Sequence, residues 1–497
     1  MKSFITVFFF LFITQFIKAQ VPCENGMAGE YPCNNIDLLS HVTPVELMAD
    51  ISEASTISDL WGWTDPLTNR EYAIVGMINA ISFVDVTDPV QPIVIGTLLG
   101  HNDWELKTTH EVENSIWKDI KTYQNHAFIV SEARDFGMQV FNLERLRDVK
   151  SPPALFVEDA HYDGVSNAHN IVINPERALA YIAGARNEDT LLTCRLGGLH
   201  IVDISNPLTP QYLSCFDDDG YTHDAQCVTY QGADADYRGH DICLNANEDT
   251  ITIIDITDPL SIVEISKTAY DSVGYIHQGW LTEDHRYFIS NDEVDEFTFE
   301  NPTRTYVFDL QDLDNPQYVG FNQGITPSID HNLYIHESLV YQSNYSAGLR
   351  ILSLDNVEQA QLEEIAFFDT YPLHDSAFFL GSWSNYPYFN SGTIIVSDKE
   401  SGLFVVKPQS QVASIKDLLS SSSINVYPQP AIDQLHYSIE GQGKVAQISL
   451  ISVQGIKMQT EVSGNAQIDV SGLSAGVYLI EFLFLDGRTI VTRFVKE

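Results

Sequence analysis

Five histidines recur along the sequence, and each is followed directly by a polar residue. The pairs are His169-Asn170, His223-Asp224, His277-Gln278, His331-Asn332 and His374-Asp375. Two further segments carry an aspartate at the comparable place, Asp59 and Asp119. Imidazole and carboxylate groups are common ligands of transition metals, and imidazole also serves as a general base. If the fold brings these residues together, they predict a metal-binding or ligand-binding site.

Three interpretations of these pairs stay open. The pairs can form hydrogen bonds between repeats, because a buried polar group needs a partner and a repeat protein reuses one solution. They can instead hold a divalent metal, for which Ca²⁺, Zn²⁺ and Mn²⁺ are the candidates. Apart from such a metal, no cofactor is expected. The third interpretation is direct contact with an anionic or carbonyl ligand.

Polar loops are expected to surround the same site. They lie between the second and third strands of successive repeats, and the residues singled out in them are Glu132, Arg134, Arg186, Asp292 and Glu293. Acidic groups together with two arginines suit Ca²⁺ or a polar ligand, although plain solvated turns have a similar composition.

A recurring strand phrase must position these residues. The phrase GLHIVDISNP at residues 198–207 is one of seven related copies. Their alignment puts into one column Asp85, Asn142, Asp203, Asp255, Asp309, Ser353 and Lys407. Copies at intervals of 44 to 61 residues predict an all-β fold, a seven-bladed β-propeller over residues 51–409. The first strand of each blade lines the central channel, so the polar pairs at the strand starts are expected to meet at one mouth.

The seventh repeat offers only three strands. Residues 20–50 contain the segment HVTPVELMAD, from His41, which is similar to the outer strand of the other repeats. We therefore expect this lead-in to complete the last blade and to remove its open edge.

Residues 1–19 predict a secretory signal peptide, because Lys2 precedes an apolar stretch and Ala19 stands before a cleavage point. Export favours disulfides among the six cysteines, which can pair in several ways. The favoured scheme places Cys227 opposite Cys243 on adjacent strands, and its three pairs are Cys23–Cys33, Cys194–Cys215 and Cys227–Cys243.

The charge balance excludes some classes of partner. Lys and Arg total 26 against 68 Asp and Glu, which gives a formal net charge of -42. This excess of negative charge argues against nucleic acid and anionic membrane surfaces as partners.

The C-terminal residues 424–497 follow a linker at 410–423 and carry a set of short motifs. These are Tyr427-Pro428-x-Pro430, a turn at Gly455, Leu473-x-x-Gly476-x-Tyr478 and a basic end at Arg493 and Lys496. The segment resembles the type A sorting domain of the Bacteroidetes type IX secretion system. The resemblance implies a small β-sandwich, export across the outer membrane through the type IX machinery, and release or anchoring at the cell surface.

Residues 23–408 carry longer phrases as well. They are LWGWTDP from Leu60, REYAIVG from Arg70, WKDIKTYQNHAFIVSEA from Trp117, YTHDAQC from Tyr221 and HQGWLTED from His277. Together with the repeated strand phrase they resemble the LVIVD-repeat proteins called "choice-of-anchor B" proteins. That family shares an extracellular body with different C-terminal tails, and the resemblance implies no catalytic residues.

Two functional hypotheses follow. The first is a secreted or cell-surface protein that binds a small-molecule or protein ligand through the His/Asp-lined mouth. The second is a metal-dependent hydrolase or lyase with the histidines around the metal. Familiar catalytic motifs such as G-x-S-x-G, H-E-x-x-H and the P-loop are absent from the sequence, so no catalytic residue is assigned.

Overall fold

The computed structural model describes most of the chain. The residues described are 20–48, 56–101, 115–186, 194–409, 423–428, 430–440, 445–452, 457–460, 466–484 and 489–497. The predicted signal peptide and residues 410–422 of the predicted linker lie outside them. The chain separates into two compact units, Met1–Val412 and Ala413–Glu497. None of the helices in the described ranges combines the length and the apolar character that a bilayer crossing requires.

The first unit begins with three short strands and continues with seven small sheets. The opening strands are β1 (Met27–Ala28), β2 (Tyr31–Asn34) and β3 (Ile36–Val42). Sheet one consists of β4 (Ile57–Thr64), β5 (Glu71–Met77), β6 (Ala80–Asp85) and β7 (Ile93–Leu99). Sheet two consists of β8 (Lys118–Tyr123), β9 (His126–Ser131), β10 (Met138–Asn142) and β12 (Ala160–Tyr162), and β11 (Ala154–Phe156) joins sheet one by parallel pairing with β7.

Sheets three to five repeat the four-stranded antiparallel pattern. Sheet three consists of β13 (Asn170–Asn174), β14 (Leu179–Ala183), β15 (Leu199–Asp203) and β16 (Gln211–Phe216). Sheet four consists of β17 (Asp224–Thr229), β18 (Asp241–Ala246), β19 (Ile251–Asp255) and β20 (Val263–Thr268). Sheet five consists of β21 (Ile276–Leu281), β22 (Tyr287–Asp292), β23 (Arg304–Asp309) and β24 (Gln317–Gln323).

The last two sheets take in the opening strands. Sheet six consists of β25 (Leu333–His336), β26 (Leu339–Ser343), β27 (Leu349–Asn356) and β28 (Gln361–Phe368), followed by β2 and β1. Sheet seven consists of β29 (Ser382–Tyr386), β30 (Ile394–Asp398), β31 (Gly402–Pro408) and then β3. Short helices are few in the described ranges, namely Pro44–Leu47, Asp295–Phe299 and the 3-10 turns Leu143–Asp148 and Val357–Gln359. The prediction of an all-β chain is confirmed.

The recurring column of the sequence marks the ends of the third strands. In six repeats its side chain accepts a hydrogen bond from the backbone N–H two residues further on, at 2.8 to 3.2 Å. The accepting residues are Asp85, Asn142, Asp203, Asp255, Asp309 and Ser353. Asp, Asn and Ser make such local turns readily, which explains why the strand stops where it does.

The hydrophobic core lies between neighbouring sheets. Six apolar clusters each contain residues of two sheets that follow each other along the chain, and a seventh joins sheet seven to sheet one through Val405 and Val75. Each first strand also contacts the next one along the chain, in the order β4, β8, β13, β17, β21, β25 and β29. The last of them, β29, contacts β4. The order of packing therefore returns to its starting sheet.

The N-terminal segment is held by two sheets. β2 pairs antiparallel with β28, and β3 pairs antiparallel with β31 from Ile36 opposite Pro408 to Val42 opposite Leu403. The prediction that HVTPVELMAD forms a strand is wrong beyond Val42, where β3 ends. Thr43 caps a one-turn helix over Pro44–Leu47, with Pro44 in the first turn and Glu46 completing a capping box. Proline and a capping threonine favour a helix start at this place.

All six cysteines are in disulfides. The pairs are Cys23–Cys33, Cys194–Cys215 and Cys227–Cys243, with Cα–Cα distances of 6.0, 5.6 and 4.1 Å. Cys227 and Cys243 face each other directly in the register of β17 and β18.

The second unit is a small β structure with its own core. One sheet contains β32 (Ser423–Tyr427), β33 (Gln434–Glu440) and β36 (Gln467–Asp469). The other contains β34 (Val445–Ser452), β35 (Lys457–Thr460), β37 (Gly476–Phe484) and β38 (Thr489–Lys496). Leu435, Ile480 and Phe494 belong to the apolar cluster that the two sheets share.

A buried ion pair links sheets one and two at their outer turns. The guanidinium of Arg147 donates two hydrogen bonds to Asp65, 2.7 Å from Nε to Oδ2 and 2.5 Å from Nη2 to Oδ1. The Asp65 side chain is fully buried. Hydrogen bonding to Arg147 holds the pKa of Asp65 well below its usual range.

We predict that Arg147→Ala lowers the free energy of unfolding by about 3 kcal/mol, because it leaves a buried carboxylate unpaired. A depressed pKa contributes stability that is present at neutral pH and is lost as the pH falls below the ordinary carboxyl range. The difference between wild type and Arg147→Ala should therefore shrink in acid. Urea unfolding followed by tryptophan fluorescence measures it, since all six tryptophans lie in the first unit.

The control for this prediction is Arg286→Ala, which breaks the more exposed pair with Asp309. Its cost should stay below about 1 kcal/mol. Equal losses in the two variants, or a difference for Arg147→Ala that does not depend on pH, would contradict the importance of the Asp65 pair.

Candidate functional site: a buried histidine arc

Two successive positions can be aligned at the starts of the seven first strands. The first position is occupied by Ser58, Lys118, His169, His223, His277, His331 and Trp383. The second is occupied by Asp59, Asp119, Asn170, Asp224, Gln278, Asn332 and Ser384. Because successive first strands contact one another, four of the five predicted histidines come together.

His374 and Asp375 were wrongly expected at the start of the seventh first strand. That strand is β29, which begins only at Ser382, and Trp383 occupies the histidine position. His374 lies in the segment before it, where its ring packs against Tyr371 and Phe378 at centroid distances of 5.4 and 5.7 Å. The phrase containing His374 matched the other repeats, whereas the true strand start, SWS, carries no histidine that could have marked it.

The four remaining histidines form a continuous arc of rings. Ring centroids are 4.2 Å apart for His169 and His223, 4.3 Å for His223 and His277, and 4.4 Å for His277 and His331. Trp383 continues the arc at 4.9 Å from His331. His277 is only 1% exposed, so water reaches this part of the arc poorly.

Backbone carbonyls fix the ring orientation of two histidines. Nδ1 of His223 donates to the carbonyl of His277 at 2.8 Å, and Nδ1 of His331 donates to the carbonyl of Trp383 at 2.6 Å. A carbonyl only accepts, so the proton of each neutral ring sits on Nδ1 and Nε2 keeps its lone pair. Burial lowers the pKa of His331 to about 3 and lowers that of His223 well below its usual value. Both rings are therefore neutral at pH 7.

Glu293 closes the arc from the loop after β22. Its Oε1 lies 3.6 Å from Nε2 of His331, and its Oε2 lies 3.9 Å from Nε2 of His277. The hydroxyl of Tyr345 donates to Oε1 at 2.9 Å. Burial raises the pKa of Glu293 to about 7. One ligand atom from each of His223, His277 and Glu293 lies within 4.8 Å of the other two. Atoms at this spacing can bind a single metal ion.

The space beside the arc is small. A cavity of about 10 Å³ is bordered by His169, His277, His331, Lys118 and Trp383. This volume is roughly what one water molecule or one ion needs.

His169 stands apart from the other three histidines chemically. Its Nδ1 lies 2.6 Å from Oε1 of Glu132, one of the predicted rim residues. Burial opposes the charged form of His169, but the hydrogen bond and charge of Glu132 outweigh it, so the pKa of His169 is raised. The pair is therefore suited to hold a proton at one end of the arc.

Several polar second positions join first strands of different sheets. Asp119 accepts a hydrogen bond from the backbone N–H of Ile171 at 2.8 Å, and Gln278 accepts one from Leu333 at 2.7 Å, each in the next sheet. Asn332 of sheet six donates to Asp59 of sheet one, two places further in the packing order, at 3.0 Å. These bonds fit the interpretation that the recurring polar residues link repeats.

The other predicted rim residues have different surroundings. Asp292 accepts from the hydroxyl of Tyr270 and from the backbone N–H groups of Gly274 and Tyr275. Arg134 lies 3.7 Å from Asp135, and Arg186 lies over the ring of Tyr221. The participation of Tyr345 and Trp383 was missed, because neither residue repeats along the sequence.

A larger cavity lies at the other ends of the same first strands. Its volume is about 430 Å³, and the residues that line it include Trp61, Lys121, Val172, Val228 and Trp280. Lys121 lies 4.5 Å above the Trp61 ring, and its ammonium contacts Asp119 at 2.6 Å.

Comparison with known proteins decides the character of the second unit. Residues 425–497 match the family model of the secretion system C-terminal sorting domain. The chain ends in a type IX secretion sorting domain. The sorting domain marks proteins exported to the cell surface or the extracellular space and implies contact with the type IX secretion machinery. Both predictions, the sorting domain and the export, are confirmed.

The remaining comparisons concern the whole chain. No curated protein matches it. Among solved structures it is similar to PorZ, described as an essential bacterial surface component of the type IX secretion system of Porphyromonas gingivalis, with 12% identity and a TM-score of 0.42. The match covers 88% of this chain and 59% of the PorZ chain, so this chain spans less than two thirds of that protein's length.

We predict that truncation before residue 425 abolishes release of the protein outside the cell, because the sorting domain is the part that the secretion machinery engages. The truncated chain should accumulate inside the outer membrane, as measured by fractionation and immunoblotting. A control with Asp88→Asn in the full chain, on an exposed turn of the first unit, should still be exported. Truncated protein in the medium at the wild-type level would contradict the prediction.

The buried Asp59 should make the stability of the protein depend on pH. Burial, with the nearby charge of Asp119, raises the pKa of Asp59 well above its usual value. The folded state then keeps a proton that the unfolded state has lost, so stability falls as the pH rises from about 4 to about 8. Asp59→Asn removes this dependence and should gain about 1–2 kcal/mol on wild type between pH 5 and pH 8.

Urea unfolding at several pH values measures the effect, with Asp88→Asn on an exposed turn as the control. Parallel pH profiles for wild type and Asp59→Asn would show that Asp59 titrates normally in the folded protein.

Proposed function

We propose that residues 51–409, completed by the lead-in 20–50, form a seven-bladed β-propeller of the LVIVD-repeat, choice-of-anchor B type. Two observations support this. The apolar clusters pair each sheet with the next and sheet seven with sheet one, and the first strands contact one another in the same cyclic order. Such packing is what a closed ring of blades requires.

The function that the geometry supports best is that of an exported binding protein whose ligand is a divalent transition metal. The metal would be held by His223, His277, His331 and Glu293. One observation carries the proposal: two of these histidines have Nδ1 bound to a backbone carbonyl while Glu293 lies against the Nε2 side of the arc. Histidine ligands of metal sites are usually oriented by such a carbonyl bond on the other ring nitrogen.

The chemistry of the residues fits zinc or manganese. Neutral imidazole and carboxylate ligands suit these ions, and His223 and His331 are neutral at physiological pH. The small space beside the arc favours binding of an ion over reaction of an organic substrate. We therefore favour a metal-binding role for the protein over the hydrolase or lyase alternative.

We predict that the full chain binds one zinc or manganese ion and that His331→Ala weakens binding at least about 100-fold, because it removes a direct ligand. Metal content by mass spectrometry and affinity by competition with a chelating dye measure this. His374→Ala is the matched control, since His374 lies outside the arc, and it should bind as wild type does.

Circular dichroism of each variant checks that loss of metal is not loss of folding. The absence of bound metal in wild type after addition of zinc and manganese would overturn the proposal, as would an equal loss in His374→Ala.

A further inference from the structure

The larger cavity, at the strand ends away from the histidine arc, is lined by a position that departs from the repeat. Two residues beyond the polar second position, the alternation of a strand returns the side chain to the same face. Five residues at this position line the cavity, namely Trp61, Lys121, Val172, Gln226 and Trp280. Their types differ from sheet to sheet, whereas the second positions are polar in all seven sheets. A structural role shared by all repeats therefore does not explain this set.

One wall of this space, the tryptophan cavity, is aromatic. Trp61 and Trp280 are partly exposed, and the buried Tyr334 contacts both, at centroid distances of 5.5 Å and 5.1 Å. Tyr386 packs on Trp61 at 5.1 Å. These contacts fix the two indole rings in advance, so a ligand that stacks on them loses little free energy to ordering of the wall.

The rest of the lining is apolar with a few polar groups. Val172 and Val228 supply apolar surface, and the side chains of Asn174, Gln226 and Gln231 supply amides. The volume is about 430 Å³. A mainly apolar cavity of this size with a few polar groups is typical of a small-molecule site.

Three hydrogen-bond donors of the lining have no acceptor among the described residues. Gln226 accepts a hydrogen bond from the backbone N–H of Leu281 with Oε1 at 2.6 Å, and its Nε2 donates to no described residue. The indole N–H groups of Trp61 and Trp280 also lack an acceptor in the described part of the chain. A ligand with oxygen acceptors can satisfy such donors.

The charges at the tryptophan cavity disfavour an ionic ligand. The Lys121 ammonium is paired with Asp119 at 2.6 Å, and the two side chains are only 8% and 3% exposed, so the pair offers no net positive charge to an anion. The same ammonium stands 4.5 Å from the centre of the Trp61 ring, where a cationic ligand would otherwise bind. The carboxylate in the lining, Glu176, belongs to an exposed residue. The interior therefore suits a neutral ligand.

We propose that the tryptophan cavity binds a neutral carbohydrate of one or two sugar rings. The C–H face of a sugar ring packs flat on an indole ring, which matches the wall formed by Trp61 and Trp280. Its hydroxyl oxygens can accept from the free donors of the lining, and its hydroxyl groups can donate to Glu176. A ligand with both an apolar face and many neutral polar groups uses all of these features.

The test titrates the full chain with D-glucose, N-acetylglucosamine, maltose and cellobiose, followed by tryptophan fluorescence and saturation-transfer NMR. Tetramethylammonium chloride and sodium benzoate serve as cationic and anionic probes. We expect at least one of the sugars to bind with a Kd of about 1 mM or below, and neither ionic probe to compete with it. Binding of none of the four sugars up to about 50 mM, or competition by either ion, would overturn the proposal.

Trp280→Ala should weaken sugar binding at least about tenfold, because it removes one of the two stacking faces. The matched control is Trp117→Ala. Trp117 is 40% exposed and directly precedes β8, at the opposite end of the first strands. The control should bind the sugar as wild type does.

Val228→Trp keeps the test decisive if Trp280→Ala does not fold, because it fills the cavity without removing a side chain that the fold needs. Circular dichroism checks the folding of each variant. Wild-type sugar affinity in a folded Trp280→Ala or Val228→Trp protein would contradict the assignment of the site. His331→Ala should lose zinc or manganese and keep the sugar, so failure of this proposal is distinguishable from failure of the metal proposal.

Discussion

A polar side chain at the start of a buried strand must find a hydrogen-bond partner, and the centre of the first unit depends on how this demand is met. Several residues at the second polar position meet it by bonding to a neighbouring first strand, as Asp119 does to Ile171 and Gln278 to Leu333. The apolar clusters hold the outer parts of the sheets together, while these side-chain bonds hold the inner strands. A substitution here disturbs two sheets at once.

Two of the histidines satisfy the same demand with only one of their two ring nitrogens. Nδ1 of His223 and of His331 is bound to a backbone carbonyl, and Nε2 of His331 lies beside Glu293. Structural bonding and ligand binding were alternatives for these residues at the level of sequence. The geometry of imidazole allows both, because its two nitrogens point in opposite directions.

A structural feature could be predicted from the sequence when it depends on residues that are close together in the chain. The turn residues Asp203 and Asp255 bond only two positions ahead, so the ends of the third strands followed from the recurring phrase. The positions of His223 and His277 followed from their spacing within equal repeats. His374 was misplaced because the seventh repeat has a longer approach to its first strand. The roles of Tyr345 and Trp383 depend on tertiary packing between repeats, which leaves no periodic signal.

The N-terminal strand carries a consequence for how an exported chain matures. β3 is made first, but its partner β31 is made last, and His41 of β3 bonds to Ser401, 360 positions away. Contacts so distant in sequence form late, because the whole intervening chain must be ordered before they are gained. In an incomplete chain, β3 is therefore present before the strand with which it pairs. The pairing of β3 with β31 can form only after nearly all of the first unit has been synthesised. A chain that is exported before then lacks this pairing, and its last sheet is incomplete.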